Sequence, residues 1–336
     1  MSAVFYEGGG RFSLGDSEPV EPGEGDVRLR VAYCGICGTD VHIAHGAMAQ
    51  RLRLPQVIGH EMSGIVDAVG ASVEGVAVGD EVVVRPLDPR DATPATGALS
   101  HIGRGLKFLG IDTPGAFQAY WTVPAFTLHR LPAGIDLRQA ALTEPLAVAV
   151  HTVRRGEVRA GEQVVVLGGG PIGLLVGLAA QSEGAEVILS EPTPHRRALA
   201  AKLGFEAVEP RELATTVERR MAGGGADVVF EVSGSAAGAA AMTQLAALRG
   251  RIVVVAIFPE PQSINLFDVF WKELQLRGTR VYEADDYERA IALAASSSLP
   301  LELLVTSVEP LERLPEVFAT LDSRIKDVKI LVDCRS

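Results

Sequence analysis

Cysteine is scarce in this chain: three residues in 336, at positions 34, 37 and 334. So few thiols, and an odd number of them, cannot build a disulfide framework, and a reducing cytoplasm is the expected setting. Long apolar runs are also missing. None approaches the roughly 18 residues that span a bilayer, and residues 1–10 lack a basic stretch followed by an apolar one, so neither a membrane anchor nor an export signal is expected. Positive charge is in deficit, with a net charge of −11, which argues against broad binding to nucleic-acid phosphates. Internal repeats and low-complexity segments are absent. What remains is 47% hydrophobic and 22% charged, the composition of a globular protein, and the length predicts two domains.

The hydrophobic pattern changes character near position 150. Before it, short apolar runs at 27–33, 64–69 and 81–84 are broken by glycine and proline and predict a mostly β domain with tight turns. Residues 86–110 have little periodicity and form a long excursion from that domain. After position 150, strands are predicted at 163–167, 186–189, 227–232 and 251–257, alternating with helices at 172–182, 194–203 and 236–248. Such alternation implies an α/β domain whose parallel sheet is covered on both faces, and the apolar runs 164–167 and 252–257 fit strands buried on both sides. Beyond about 274 the pattern loosens, leaving a helix at 285–295 and a final strand at 328–333.

The run GGGPIG at 168–173 satisfies G-x-G-x-x-G, with a predicted strand before it and a helix after it. A turn of this kind needs Gly168 for tightness, Gly170 so that a pyrophosphate can approach the backbone, and Gly173 for close helix–strand packing. Pro171 and Ile172 open the helix, whose free N–H groups and positive dipole end attract phosphate. Glu191, just past the second strand, suits the ribose hydroxyls of NAD and would repel the extra phosphate of NADP. Arg196 and Arg197 follow; they can serve the cofactor side or form the solvated face of the next helix.

Metal chemistry is suggested by Cys37, His60, Glu61 and Glu144, although each has an ordinary structural explanation. The C-x-x-C at 34–37 has a redox reading, without a thioredoxin-like context, and Cys37 also reads as a small core residue. His60 and Glu61 read equally as a surface pair, and Glu144 as the start of a helix. Catalytic zinc ligands are commonly far apart in sequence, so spacing leaves these alternatives open.

The surrounding words are CGICGTD at 34–40, GHEMSG at 59–64, VGDEV at 78–82 and EPLA at 144–147. Together with GGGPIG they resemble the zinc-dependent medium-chain alcohol dehydrogenase family, in its branch of sorbitol-type, butanediol and threonine dehydrogenases. The resemblance implies a GroES-like catalytic domain, residues 1–148 and 284–336, split around a Rossmann NAD-binding domain, residues 149–283, with the active site in the cleft between them. It implies that Cys37 and His60 ligate zinc, that Glu61 is a third or an exchangeable ligand, and that Glu144 binds directly or through water. It also implies a proton relay through Thr39 and His42, with His45 as an alternative shuttle and His151 structural or near the cofactor.

Relatives in this family carry a second, structural zinc on four cysteines spaced C-x2-C-x2-C-x7-C. Here the corresponding positions are Arg90, Thr93, Thr96 and Arg104. His101 alone cannot replace four thiols, so one zinc per chain is expected, and with it a more mobile lobe. Polyol-oxidising relatives carry an Arg-Tyr pair; Tyr282 fits the tyrosine, but Val281 precedes it and Arg280 lies one step earlier, on the opposite face if the segment is a strand. The expected function is oxidation of a secondary alcohol (a polyol, a vicinal diol or a 3-hydroxy amino acid) with one zinc and NAD, by a homodimer or homotetramer. The competing readings are a zinc-free quinone or enoyl reductase of the same superfamily and a non-catalytic nucleotide-binding subunit.

Overall fold

The structure, a computed structural model, describes residues 1–94, 96, 97, 99–221, 223–296, 298–324 and 326–335. It divides into two compact units, Met1–Glu144 with Glu283–Ser336, and Pro145–Tyr282.

The second unit is a six-stranded parallel sheet. In spatial order its strands are Glu206–Val208, Glu186–Ser190, Gln163–Leu167, Ala226–Glu231, Ala246–Val254 and Gln275–Gly278. Counted along the unit this is 3-2-1-4-5-6, the doubly wound order, whose switch point falls between the first strand and the fourth. The predicted burial holds in the centre: Val164, Val165 and Val166 are fully buried, and Val165, Ile188, Val229 and Ile252 share one core with Leu213 and Val217. At the periphery the sequence reading needs correction. The helix expected over 236–248 stops at Leu245, and the next strand begins at Ala246 and ends at Val254, leaving Ile257 exposed. The strands Glu206–Val208 and Gln275–Gly278 and the helices Pro210–Arg220 and Leu266–Trp271 had not been predicted. Helix Pro210–Arg220 buries only Leu213, Thr216 and Val217, too sparse an apolar stripe to stand out among its charges.

The first unit is built mainly of antiparallel strands. A seven-stranded sheet has Leu128–Arg130, Glu81–Val84, Glu61–Val69, Asp26–Gly35, Lys329–Asp333 and Val305–Pro310 in that order, with Tyr120–Pro124 also pairing to Asp26–Gly35. A separate three-stranded sheet holds Arg11–Asp16, Ser2–Gly8 and Gln56–Val57. Two register facts position the site. Gly35 sits opposite Glu61 and also opposite Leu331, so both the histidine–glutamate strand and the last strand of the chain flank the segment that leads into Cys37.

Candidate metal centre and dinucleotide turn

Strand Asp26–Gly35 runs out at glycine for a steric reason. A Cβ on Gly35 would lie 2.3 Å from Oε2 of Glu61, so the carboxylate occupies the space a side chain would take. Two residues later Cys37 caps the short helix Gly38–Ala44, and Asp40 accepts the Cys37 N–H at 2.9 Å, a reciprocal cap that fixes the cysteine backbone. Gly59, at φ +98, turns the chain into His60 where a Cβ would collide with Phe117 and the Cys34 sulfur. The His60 ring then stands edge-on to Phe108, with centroids 5.0 Å apart.

This folding brings one ligand atom each of Cys37, His60 and Glu61 within 4.8 Å of one another. Glu144, buried in the first turn of helix Thr143–Arg155, is outside that tight group. Thr39 is partly exposed, while His42 and His45 are exposed on or just past the same short helix. His45 Nε2 faces Asp322 at 4.0 Å. His151, in the other unit, is buried with Arg154 3.1 Å from its Nδ1. Tyr282 is fully buried and Arg280 exposed. The reason differs from the expected strand alternation: the strand ends at Gly278, and Val281 adopts φ +45 in a bend.

Two members of the site were missed from sequence. Asp40 is fully buried, its Oδ1 3.7 Å from His60 Nδ1, and neither atom has a hydrogen-bond partner. Lys329 is buried on the last strand and donates to Glu61 Oε2 at 2.6 Å and to the Ile36 carbonyl at 3.0 Å. Each left a signal: Asp40 stands at the third position after a helix cap, and Lys329 is a charge leading directly into the apolar run Ile330–Leu331–Val332.

The electrostatics ask for a cation. Burial by itself lowers a histidine, yet the Asp40 carboxylate, the Cys37 sulfur and Glu144 outweigh it and raise His60 to about 10. Burial raises Asp40 to about 6 against the pull of His60. Burial and the Glu61 charge push the Cys37 thiol up, opposed by His60 and Lys329. Asp40 and Cys37 thus make the buried His60 position favour positive charge, and metal binding to such a site is ordinarily coupled to proton release. A thiolate, an imidazole and carboxylate oxygen form a donor set suited to zinc, and Asp40 behind the imidazole is the outer partner that orients such a ligand.

The excursion at 86–110 pairs two short strands, Leu87–Asp88 and Lys107–Phe108. Of the four positions where relatives place thiols, Thr93 and Arg104 exchange backbone hydrogen bonds of 2.8 and 3.1 Å, and Arg90 forks onto Asp88 at 2.9 and 2.7 Å.

In the other unit, Gly168 takes φ +111 directly after strand Gln163–Leu167, and a Cβ on Gly173 would lie 1.9 Å from the Gly168 carbonyl oxygen. Helix Pro171–Ser182 starts at Gly170 with no side-chain cap, so its first N–H groups are available. Pro171 and Ile172 are partly buried at its start. Glu191 is buried and accepts the Gly169 N–H through one oxygen and the Thr193 N–H through the other, each at 2.8 Å. Arg197 is not a free surface arginine: it donates to the Glu191 and Pro192 carbonyls and pairs with Glu209. Arg196 is partly buried, and its Nε has no hydrogen-bond partner.

Both halves of this arrangement are matched in known proteins. Residues 23–133 match the family of the alcohol dehydrogenase GroES-like domain, and residues 171–296 match that of the zinc-binding dehydrogenases. The chain belongs to the zinc-binding medium-chain alcohol dehydrogenase family. It is 52% identical to a 2-dehydro-3-deoxy-L-galactonate 5-dehydrogenase of Pseudoalteromonas atlantica, over 100% of this chain and 99% of the relative. Its fold superposes on 2R,3R-butanediol dehydrogenase of Bacillus subtilis with TM-score 0.92 and 32% identity, over 99% of both chains. A zinc-binding dehydrogenase from Sinorhizobium meliloti bound to NADP gives TM-score 0.89 and 32% identity, over 99% of this chain and 98% of that one. The protein is accordingly an oxidoreductase of the alcohol dehydrogenase type, and the zinc-free reductase and non-catalytic readings are set aside.

Proposed function

We propose that the chain oxidises a secondary hydroxyl to a ketone with one zinc and NAD, and that its substrate is a deoxy sugar acid of the 2-oxo-3-deoxy type. The observation that carries the metal reading is the convergence of Cys37, the buried His60 imidazole and Glu61, with Asp40 Oδ1 behind the ring free of any hydrogen bond. The substrate class rests on the 52% relative, similar along its full length; a simple diol or sugar alcohol is the second choice.

When bound, zinc supplies a Lewis acid for the substrate oxygen and NAD the acceptor of the hydride. Cys37 and His60 hold the ion, with Glu61 or Glu144 as the carboxylate ligand. Asp40 orients His60, and Lys329 restrains Glu61. Thr39 takes the hydroxyl proton and His42, one turn on along the same helix, passes it to solvent. Gly168, Gly170, Pro171, Ile172 and Gly173 cradle the pyrophosphate. Glu191 keeps lone pairs for the ribose hydroxyls beyond its two backbone bonds, since each carboxylate oxygen accepts twice, and its charge disfavours a 2′-phosphate. Arg196 serves the adenosine side, a reading supported by its Nε, which has no hydrogen-bond partner.

No helix among the described residues is long and apolar enough to cross a membrane. The three free cysteines support a cytoplasmic setting. Self-association as a homodimer or homotetramer is supported by the open edge strand Gln275–Gly278 and by the exposed Phe270 and Trp271 beside it in sequence.

Initial rates with 2-dehydro-3-deoxy-L-galactonate, 2,3-butanediol, sorbitol, ribitol and threonine, each with NAD and NADP, test the proposal. The sugar acid with NAD should give the highest kcat/KM, and Glu191→Ala should narrow the gap between the cofactors by about tenfold or more. Turnover of no alcohol, or a preference for NADP in the unmodified protein, contradicts it.

A further inference from the structure

Strand Ala226–Glu231 ends on a carboxylate that no step above uses. Glu231 is fully buried at the C-terminal end of the sheet, opposite Leu167, the residue that precedes the glycine turn. The segment 232–235 folds back over it. Oε1 of Glu231 accepts the Ser233 N–H at 3.1 Å and also the Ser233 hydroxyl, and Oε2 accepts the Gly234 N–H at 3.3 Å. Ser233 Oγ accepts the Ser235 N–H at 3.2 Å, and Ser235 Oγ accepts the Gly238 N–H at 2.9 Å, capping helix Ala236–Leu245. The packing leaves no slack. A Cβ on Gly238 would lie 2.5 Å from both Glu231 Oε1 and Ser233 Oγ, and a Cβ on Gly168 would lie 3.0 Å from the Ser233 Cα. Ser233 therefore rests directly on the first glycine of the phosphate turn.

Among the helices that start at this end of the sheet, the one after the first strand and the one after the fourth are treated oppositely. Helix Pro171–Ser182 begins without a side-chain cap and leaves its first N–H groups to an anion. Helix Ala236–Leu245 has its entry closed by Ser235 and Ser233, with the Glu231 carboxylate beneath them. A second phosphate position there is disfavoured by the Ser235 cap on the Gly238 N–H and by like charge.

We propose that Glu231 is a positioning residue for the dinucleotide: it fixes the 232–235 turn against Gly168, at the switch point where the second mononucleotide half meets the first. The role rests on the reading of NAD at the glycine turn. In a doubly wound sheet the dinucleotide lies across two mononucleotide halves that meet at the switch point, and Glu231 sits on the first strand of the second half. Its loss should weaken whole dinucleotide while sparing the nucleotide that uses only the first half.

The test is Glu231→Gln, of nearly the same shape, which aims an amide NH2 at backbone donors. Full-length protein is titrated with NADH and, separately, with AMP, by calorimetry. The expected result is a Kd for NADH about tenfold higher, the scale of one lost charged hydrogen bond, with AMP changed less than about twofold. An unchanged Kd for NADH, or an equal loss for both ligands, overturns the role. Ser233→Ala removes one hydroxyl and keeps the carboxylate; it should weaken NADH by a smaller factor and spare AMP. If the glutamine variant does not fold, an unchanged NADH affinity in Ser233→Ala is the overturning result. Unmodified protein that binds neither NADH nor AMP removes the dinucleotide reading itself, and this role with it.

Discussion

Two charge-rich regions of the first unit treat their carboxylates in opposite ways. In the excursion at 86–110 and just past it each of three aspartates meets a cation: Asp88 pairs with Arg90, Asp91 with Lys107 and Asp112 with Arg51. The Asp112 carboxylate also accepts the Phe108 N–H at 2.7 Å. At the metal centre the charges are more deeply buried and less well matched. Glu61 has Lys329, but His60 Nδ1 and Asp40 Oδ1 face each other at 3.7 Å without a hydrogen bond. Charges that are satisfied internally hold a loop in place; charges left unsatisfied in a buried site prepare it for something that arrives. At the positions where the resemblance implies four thiols, this chain places an arginine–carboxylate fork and a backbone bridge.

The contrast can be broken at several points. Cys37→Ser removes the soft ligand, and tightly bound zinc and turnover should fall together to background while the excursion keeps its protease resistance. Persistent activity with no zinc would falsify the assignment of the centre. Lys329→Met leaves Glu61 as a buried, unpaired charge and should destabilise the metal-free protein by about 3–5 kcal/mol, visible as a lower urea midpoint. Asp40→Asn, by contrast, should lower zinc affinity by about 10–100-fold in a chelator competition with little change in that midpoint. If both substitutions moved only stability, the centre would be an ordinary polar core.

The excursion should respond more weakly. Arg51→Ala loses two bonds of 2.8 and 2.6 Å to Asp112 at a partly exposed pair, a cost of about 1 kcal/mol, read as faster proteolysis within 86–112 and an unchanged zinc content. The smallest effect concerns pH. The Asp88 carboxyl is raised by burial but held below its ordinary value overall by the Arg90 guanidinium. A lowered carboxyl contributes fully above its unfolded pKa and loses that contribution as pH falls through the folded one. The protection factor of the Arg90 amide, which also bonds to Asp88, measured against the intrinsic exchange rate at each pH, should therefore fall only on acidification below about pH 4; a loss of protection above neutrality would contradict this.

How much of this was legible in the sequence follows from how local the determinants are. The glycine turn was readable because a turn, a strand and a helix adjoin it in the chain, and Gly168, Gly173 and Glu191 sit together through a single strand–helix–strand unit. Cys37, His60 and Glu61 were recognisable only through the words around them, because their convergence depends on pairing between strands Asp26–Gly35 and Glu61–Val69. Lys329 lies 268 residues from Glu61, and no local pattern announces that pair. The helix Leu266–Trp271 escaped because four of its apolar residues, Leu266, Phe267, Phe270 and Trp271, are exposed and only Val269 packs on the core, so periodicity signals none. Strand Ala246–Val254 was placed late because a helix and a strand abut there without a turn residue between them.

The most direct measurement is elemental analysis of the purified protein, followed by exhaustive chelation and re-addition of zinc during an alcohol oxidation assay. The account predicts about one zinc per chain, activity that disappears with the metal, and recovery at one equivalent. Two tightly held zincs per chain, or full turnover after complete metal removal, would contradict it.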